Sequence, residues 1–338
     1  MKKQIIHIVT VLLIILIFPA YFAADLYYYA TQPASPAAPE TKVIIVSSGQ
    51  GFHDTVKDLY QNRLICHPAK FKFWAKWQKQ DRKIIAGEYE LSTKMSPVTI
   101  LDYMTKGIVR LHKVCIPEGY NLVQIAEAIE KSGICNKEKF LGAVKNPKLS
   151  AAMGLPATGF EGYLFPDTYS FSKGVAPEEI IQTMVAQFRN IFTEDWKKRT
   201  KELGFTEHEI ITLASIIEKE TGVAEERSLV SSVFHNRLKQ NMRLASDPTV
   251  IYGVADYNGN ITKKDLQQLT PYNTYRINGL PPGPIASPGA ESIKAALYPA
   301  VTNYLYFVAK GDQTHYFSTS LTEHNQAVQK YQLNRNPR

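Results

Sequence analysis

The chain has 338 residues, 44% hydrophobic and 21% charged, a composition that excludes a disordered chain, a collagen and a polytopic membrane protein. Lys and Arg number 39 against 31 Asp and Glu, and the net charge of +8 suits an anionic partner without choosing among polymer, nucleic acid and membrane surface. Three cysteines, Cys66, Cys115 and Cys135, are too few for a disulfide scaffold and match no zinc spacing.

In chain order, Lys2 and Lys3 precede an almost wholly apolar run from Ile5 to Ala24, in which His7 and Thr10 are the clearly polar residues. Twenty helical residues match a hydrocarbon core about 30 Å thick. Phe22-Ala23-Ala24 is a poor cleavage site and no Cys lies near. The reading is therefore an uncleaved span over 5–24, with a cleaved signal peptide as the alternative. The lysines put the tail, residues 1–4, in the cytoplasm and everything after Asp25 outside. Tyr27 to Tyr29 read as an interfacial aromatic belt. Residues 25–41 are rich in Pro and Ala and read as a spacer. This topology, that of a bacterial inner-membrane protein with a periplasmic body, argues against nucleic acid. It points to peptidoglycan, the abundant polymer outside that membrane.

The folded part reads as α+β. Lys42 to Ser47 is β-branched and predicts a strand, with a helix from His53 to Asn62. Residues 68–83 mix six Lys and Arg with Phe71, Phe73, Trp74 and Trp77. They read either as a patch for an anionic glycan or lipid head groups, or, more simply, as an amphipathic helix with a packed aromatic face and solvated lysines. Ala86 to Leu91 predicts a strand, and Pro97 to Thr105 a helix started by Ser96. Lys113 to Ile116 predicts a strand, the Pro117-Glu118-Gly119-Tyr120 turn follows, and Leu122, Ile125, Ala126 and Ile129 recur at helical spacing. Two strand–turn–helix units hint at a weak repeat. They outline a small α+β subdomain over 42–140. Cys115 and Cys135 flank one of its helices and could pair in an oxidising compartment. A larger mixed region over 150–332 ends in a hairpin, 303–308 with 315–318.

The clearest helix runs from Glu207 to Thr221. Thr206 and Glu209 form a capping box, and Gly222 is a C-terminal stop. On a wheel of about 100° per residue, Glu218 falls inside the apolar arc and Glu220 just past its edge. A carboxylate in that arc suits a general acid, because burial favours the protonated form. The bland alternative is a rim residue or one paired with Arg227 or Arg237. Glu220 reads as a surface or cap contact. Other chemistries find little support: His208-Glu209 lacks the second His of a zinc protease motif, no GxSxG occurs, and Ser170-Phe-Ser-Lys173 lacks the blocks that should follow it.

Ala214-Ser-Ile-Ile-Glu-Lys-Glu-Thr221 resembles the central motif of the endolytic murein transglycosylases, the YceG-like or MltG family. Glu161 to Tyr169, His235 to Leu238, Ser246 to Tyr252, Tyr272 to Tyr275 and Gly279 to Ile285 match further blocks in order. Phe317-Ser318 and Glu323 to Asn325 match the C-terminal block. The resemblance covers about 42 to 330. Ser287-Pro-Gly289 departs from it, standing where the family usually has Asn-Pro-Gly. The resemblance implies a LysM-like substrate-binding subdomain over 42–140 and a catalytic domain over 150–332. It implies cleavage between N-acetylmuramic acid and N-acetylglucosamine in nascent strands, leaving 1,6-anhydro-muramic ends and stopping elongation. Glu218 would be acid and then base. No metal or cofactor is implied, and peptidoglycan synthases (penicillin-binding proteins) would be partners. Tyr163, Asp167, Asn236, Asp247 and Tyr272 are expected on the cleft wall, though each could instead hold a loop, Asp167 in a turn or cap above all. The rivals are a hydrolytic muramidase pairing Glu218 with Glu220 or Asp247, and a non-catalytic glycan-binding scaffold.

Overall fold

The computed structural model describes residues 2–35, 40–47, 49–156, 158–254, 257 and 259–333, with only the backbone given for 2–16. Two compact units result, Met1–His112 with Phe171–Gly174, and Lys113–Ser170 with Val175–Arg338.

The first unit begins with a 30-residue helix, α1 (Lys2–Thr31). Strand β1 (Thr41–Val46), helices α2 (Phe52–Gln61) and α3 (Pro68–Trp77) and strand β2 (Gly87–Ser92) form a βααβ unit, closed by α4 (Pro97–Lys106). β1 and β2 pair antiparallel from Thr41 opposite Ser92 to Val46 opposite Gly87. Ser96 caps α4 through the Thr99 amide, as its sequence predicts. The core gathers Ile44, Val56, Leu59, Phe71, Trp74, Tyr89, Leu91 and Leu101, together with Leu26, Tyr29 and Ala30 of α1. Residues 25–31, expected in the spacer, are thus helical and partly core. Tyr29, expected in an interfacial belt, is 6% exposed in that core, whereas Tyr27 and Tyr28 do face out. The remaining spacer includes 36–39, which lie outside the described residues. Among the described residues no helix is long and apolar enough to cross a membrane. The span expected over 5–24 rests largely on side chains of 5–16, which also lie outside them.

The second unit takes the chain from the end of β3 (Leu111–Cys115) onward. It comprises α5 (Leu122–Lys131), α6 (Lys137–Val144), α7 (Pro147–Ala152), most of β4 (Thr168–Ser172), α8 (Pro177–Ile191), α9 (Glu194–Glu202) and α10 (Glu207–Glu220). Then come α11 (Arg227–Lys239), α12 (Asp247–Gly253), α13 (Lys263–Gln267), α14 (Ala290–Leu297), the antiparallel hairpin β5 (Tyr306–Ala309) and β6 (His315–Ser318), and α15 (Leu321–Val328). The turn after β3 and helix α5 therefore fold with this unit, not with the βααβ unit as the 42–140 boundary expects. The reason is two backbone bonds, Gly119 N–H to Ser287 O (2.9 Å) and Ser287 N–H to Tyr120 O (2.8 Å). Cys115 and Cys135 are separate thiols.

Helix α10 is the centre of this core. Its capping box is as expected. Every residue from Ile210 to Ile217 is buried, so the helix is enclosed all round rather than along one stripe. Thr212 and Ser215 tolerate this because their hydroxyls donate to the His208 and Thr212 carbonyls, each at 2.7 Å. Tyr163, Phe188, Phe234, Ile293 and Leu297 belong to the same core cluster. The helix ends at Thr221, whose extended backbone breaks it before Gly222.

Candidate active site

Glu218 occupies the last turn of α10, where the helix leaves the core, and is half-buried. Its Oε2 accepts a hydrogen bond of 3.0 Å from the Gly289 amide. One turn earlier, the Ser215 hydroxyl accepts from the Ile285 amide (3.0 Å). The loop 281–289 is thus tied to α10 at two positions on adjacent turns. A third tie lies at its start. His208 Nε2 bonds the Pro282 carbonyl at 2.8 Å, and Tyr163 Oη lies 2.9 Å from His208 Nδ1. A carbonyl only accepts, so Nε2 carries the proton and Nδ1 accepts from Tyr163. Tyr163 is fully buried against Phe188 and His208. It is a core residue that holds this loop through His208, the loop-holding alternative to a place on the cleft wall.

Glu118 joins the same place from the turn after β3. A Cβ added at Gly289 would lie 1.9 Å from Glu118 Oε1, so glycine is what lets that carboxylate approach. Burial first, and Glu218 second, push the Glu118 carboxyl above its usual range, with Arg227 pulling it back. Lys219 Nζ donates to Gly119 O at 3.3 Å and fixes the turn. Gly119, at φ +76, has Glu218 Cγ 3.6 Å from where its Cβ would be. Two carboxylates therefore converge on Gly289, one bonded to its amide and one packed on its α-carbon. Ser287, the departure from the family pattern, keeps its place by backbone bonds; its hydroxyl is buried and has no hydrogen-bond partner among the described residues.

Replacing Gly289 by Ala should displace the mobile end of Glu118 rather than unfold the loop. The expected result is an unchanged Tm with a reduced kcat. The loss should be strongly sub-additive with Glu118→Gln, because both act on one carboxylate. Full additivity in that cycle would show that Gly289 does not act through Glu118.

A second carboxylate group lies at Glu161, which opens the Glu161-Gly-Tyr motif and is 8% exposed. It accepts from the Leu122 amide (3.2 Å to Oε1) and from Tyr252 Oη (3.0 Å). Burial outweighs these bonds and raises its pKa to about 7. Tyr252 packs on Tyr272 at 4.8 Å between ring centroids, and Tyr272 is half-buried beside that acid. Because the folded state binds this proton more tightly than the unfolded chain, its stabilisation is complete below the unfolded value of 4.5 and is lost as pH rises through about 7. The swing is on the order of 3 kcal/mol at about 1.36 kcal/mol per pKa unit. Urea midpoints should therefore fall across that window, and Glu161→Gln should flatten the fall. An equal slope in both proteins would refute the assignment.

Glu220 lies on the other side of the helix end. It is not the surface contact expected for it: burial raises its carboxyl to about 7, and the Ser246 hydroxyl donates to it. With Asp247, Arg237, Tyr275, Tyr306 and His324 it lines a cavity of about 450 Å³. Asp247 is exposed and accepts from Tyr275 Oη at 2.8 Å. Arg237 donates to the Leu305 (2.7 Å) and Leu244 (2.6 Å) carbonyls, not to Glu218. Glu218 is not among the residues lining this cavity.

The other expected cleft residues have structural duties. Asn236 donates from Nδ2 to the Thr302 and Tyr304 carbonyls, each at 2.9 Å, and holds the chain entering β5. Asp167 accepts from the Thr168 amide (2.7 Å) and from Gln187 Nε2 (2.8 Å), a turn role. Glu118 and Glu161 lie outside the site residues expected from the sequence, and Glu220 is expected there only in the hydrolytic alternative. For Glu161 a signal was present, an acid between Phe160 and the Tyr163-Leu164-Phe165 run.

The blocks assembled around α10 are those of a known family. The model of the YceG-like family matches residues 44–330. The chain belongs to the YceG-like family. It is 34% identical over 324 residues to the endolytic murein transglycosylase of Bacillus subtilis, covering 90% of this chain and 89% of that one. It is 28% identical over 364 residues to the endolytic murein transglycosylase of Streptococcus pneumoniae strain D39, covering 96% of this chain and 66% of that one. A yceG-like protein from Listeria monocytogenes, solved crystallographically at 2.6 Å, matches with a TM-score of 0.59 at 34% identity, over 86% of this chain and 99% of that one.

Proposed function

We propose that this protein is a membrane-anchored endolytic lytic transglycosylase. It cuts nascent glycan strands between N-acetylmuramic acid and N-acetylglucosamine, leaves 1,6-anhydro-muramic ends and so stops elongation. Membership of the family and the activity named for its relatives support the reaction class. The observation that carries the site assignment is the Glu218 carboxylate, fixed through Oε2 by the Gly289 amide with Glu118 against the same glycine.

In this reaction Glu218 begins protonated. It gives its proton to the glycosidic oxygen as the bond to the muramic anomeric carbon breaks. The carboxylate so formed takes the proton of the muramic C6 hydroxyl, whose oxygen closes on the anomeric carbon. No water is consumed and the acid is regenerated, so one carboxyl performs both transfers. Glu118 lies against the same glycine, and burial, with the Glu218 carboxylate second, pushes its carboxyl above the usual range.

In this reading residues 5–24 span the inner membrane, the folded part is periplasmic, and glycan is held by a LysM-like element that includes the turn after β3 and helix α5. A 30-residue α1 supports the anchor, being longer than a bilayer core requires. The partners are the synthases that extend the same strand. The endolytic part is tested by digesting long uncrosslinked strands and sizing early products. Internal cleavage gives intermediate lengths first; release of disaccharides alone from the start would contradict it.

A further inference from the structure

Helix α3 is amphipathic, as its sequence predicts, but its aromatic residues are split between two faces. Phe71 and Trp74 are in the core, whereas Phe73 is 49% and Trp77 62% exposed. The exposed pair lies one turn apart on the outer face. Its position along α1 gives it meaning. The His67 ring lies 5.8 Å from the Tyr29 ring, Lys70 Nζ pairs with Asp25 at 2.7 Å, and the Phe73 ring meets Phe22 edge-on at 5.3 Å. Each step forward along α3 is a step backward along α1, so the two helices run antiparallel. One further turn brings Trp77 to the level of Phe18, which is 69% exposed. Phe18 and Phe22 belong to the apolar run of 5–24. The C-terminal end of α3 therefore points toward the bilayer if α1 enters it. In its last turn and just past it, Lys76, Lys79, Arg82 and Lys83 are all exposed.

We propose that the end of α3 is a second membrane contact, with Phe73 and Trp77 seated in the interface beside α1 and the basic cluster on anionic phospholipid head groups. This rests on the anchor reading above. Trp is favoured at that depth because one part of the indole is apolar and its N–H is wet. Lysines beside it cover apolar surface with their stems and reach phosphates with their ammonium groups. Asp25–Lys70 ties the two helices at the exit point, so the contact fixes the tilt of the βααβ unit against the membrane instead of leaving it on a loose tether.

The test uses the full chain in vesicles of phosphatidylethanolamine and phosphatidylglycerol, with and without acyl chains brominated near the head group. Trp fluorescence is compared for the natural chain and Trp77→Phe, a mild change at an exposed position. The difference between them reports Trp77. The proposal predicts that this difference signal is blue-shifted in vesicles and largely lost with brominated lipid. It also predicts weaker loss when phosphatidylglycerol is replaced by phosphatidylcholine. A water-like, unquenched signal from protein that resists carbonate extraction would overturn the contact and leave the anchor standing. A blue-shifted but unquenched signal would mean that protein, such as a second copy, covers this face, and would also overturn it. Release of the protein by carbonate would refute the anchor and the contact together.

Discussion

Glu218→Gln should lower kcat for glycan cleavage by about 10²–10⁴-fold, the range for loss of a positioned general acid or base. The substitution keeps an oxygen that can accept from the Gly289 amide, so the 281–289 loop stays attached to α10. Thermal stability and glycan binding should therefore hold while turnover is lost, a signature of an interaction used in the transition state. Glu220→Gln is the informative companion. Glu220 is bonded by Ser246 and lines a cavity that Glu218 does not. If Glu218 is the acid, Glu220→Gln should cost far less. The check is single-turnover cleavage of uncrosslinked strands by the three proteins. A large loss at Glu220 with activity kept at Glu218 would reverse the assignment.

Gly162→Ala should destabilise the second unit by about 2–5 kcal/mol, combining a left-handed backbone with overpacking. Gly162 sits at φ +83, and an added Cβ would lie 2.5 Å from Pro284 Cβ and 3.1 Å from Ile211 Cγ2. Neither neighbour can yield easily, since one is a proline ring and the other is in the core. Any movement pushes the 281–289 loop off α10 and with it the amide that holds Glu218. Chemical denaturation measures the stability loss, and activity below the midpoint should fall with it. A change under about 1 kcal/mol would mean that the loop is not clamped as described.

The local part of this architecture was legible in the sequence. Thr206 and Glu209 are three residues apart and act on the same helix end, so the start of α10 could be read without knowing what surrounds it. The closing hairpin and the Ser96 cap are local in the same sense. What was misread depends on partners distant along the chain. Tyr163 is silent in sequence because its hydroxyl partner is His208, 45 residues on. Glu118 looked like part of a turn in a separate subdomain, since nothing local connects it with Gly289. Glu220 was misplaced because a helical wheel gives the direction of a side chain and not what packs there. Here the Ser246 loop encloses it. Glu218 is marked both by the wheel and by the motif, and its setting is the rim of the buried helix rather than the middle of an apolar arc.

The most direct measurement is the mass of the new ends made by the natural enzyme on uncrosslinked glycan strands, with Glu218→Gln alongside. The account predicts muramic ends one water lighter than reducing ends, absent with the variant. Ordinary reducing ends, incorporating solvent oxygen from labelled water, would contradict it and would point to a second carboxylate activating water, with Asp247 and Glu220 the first to replace.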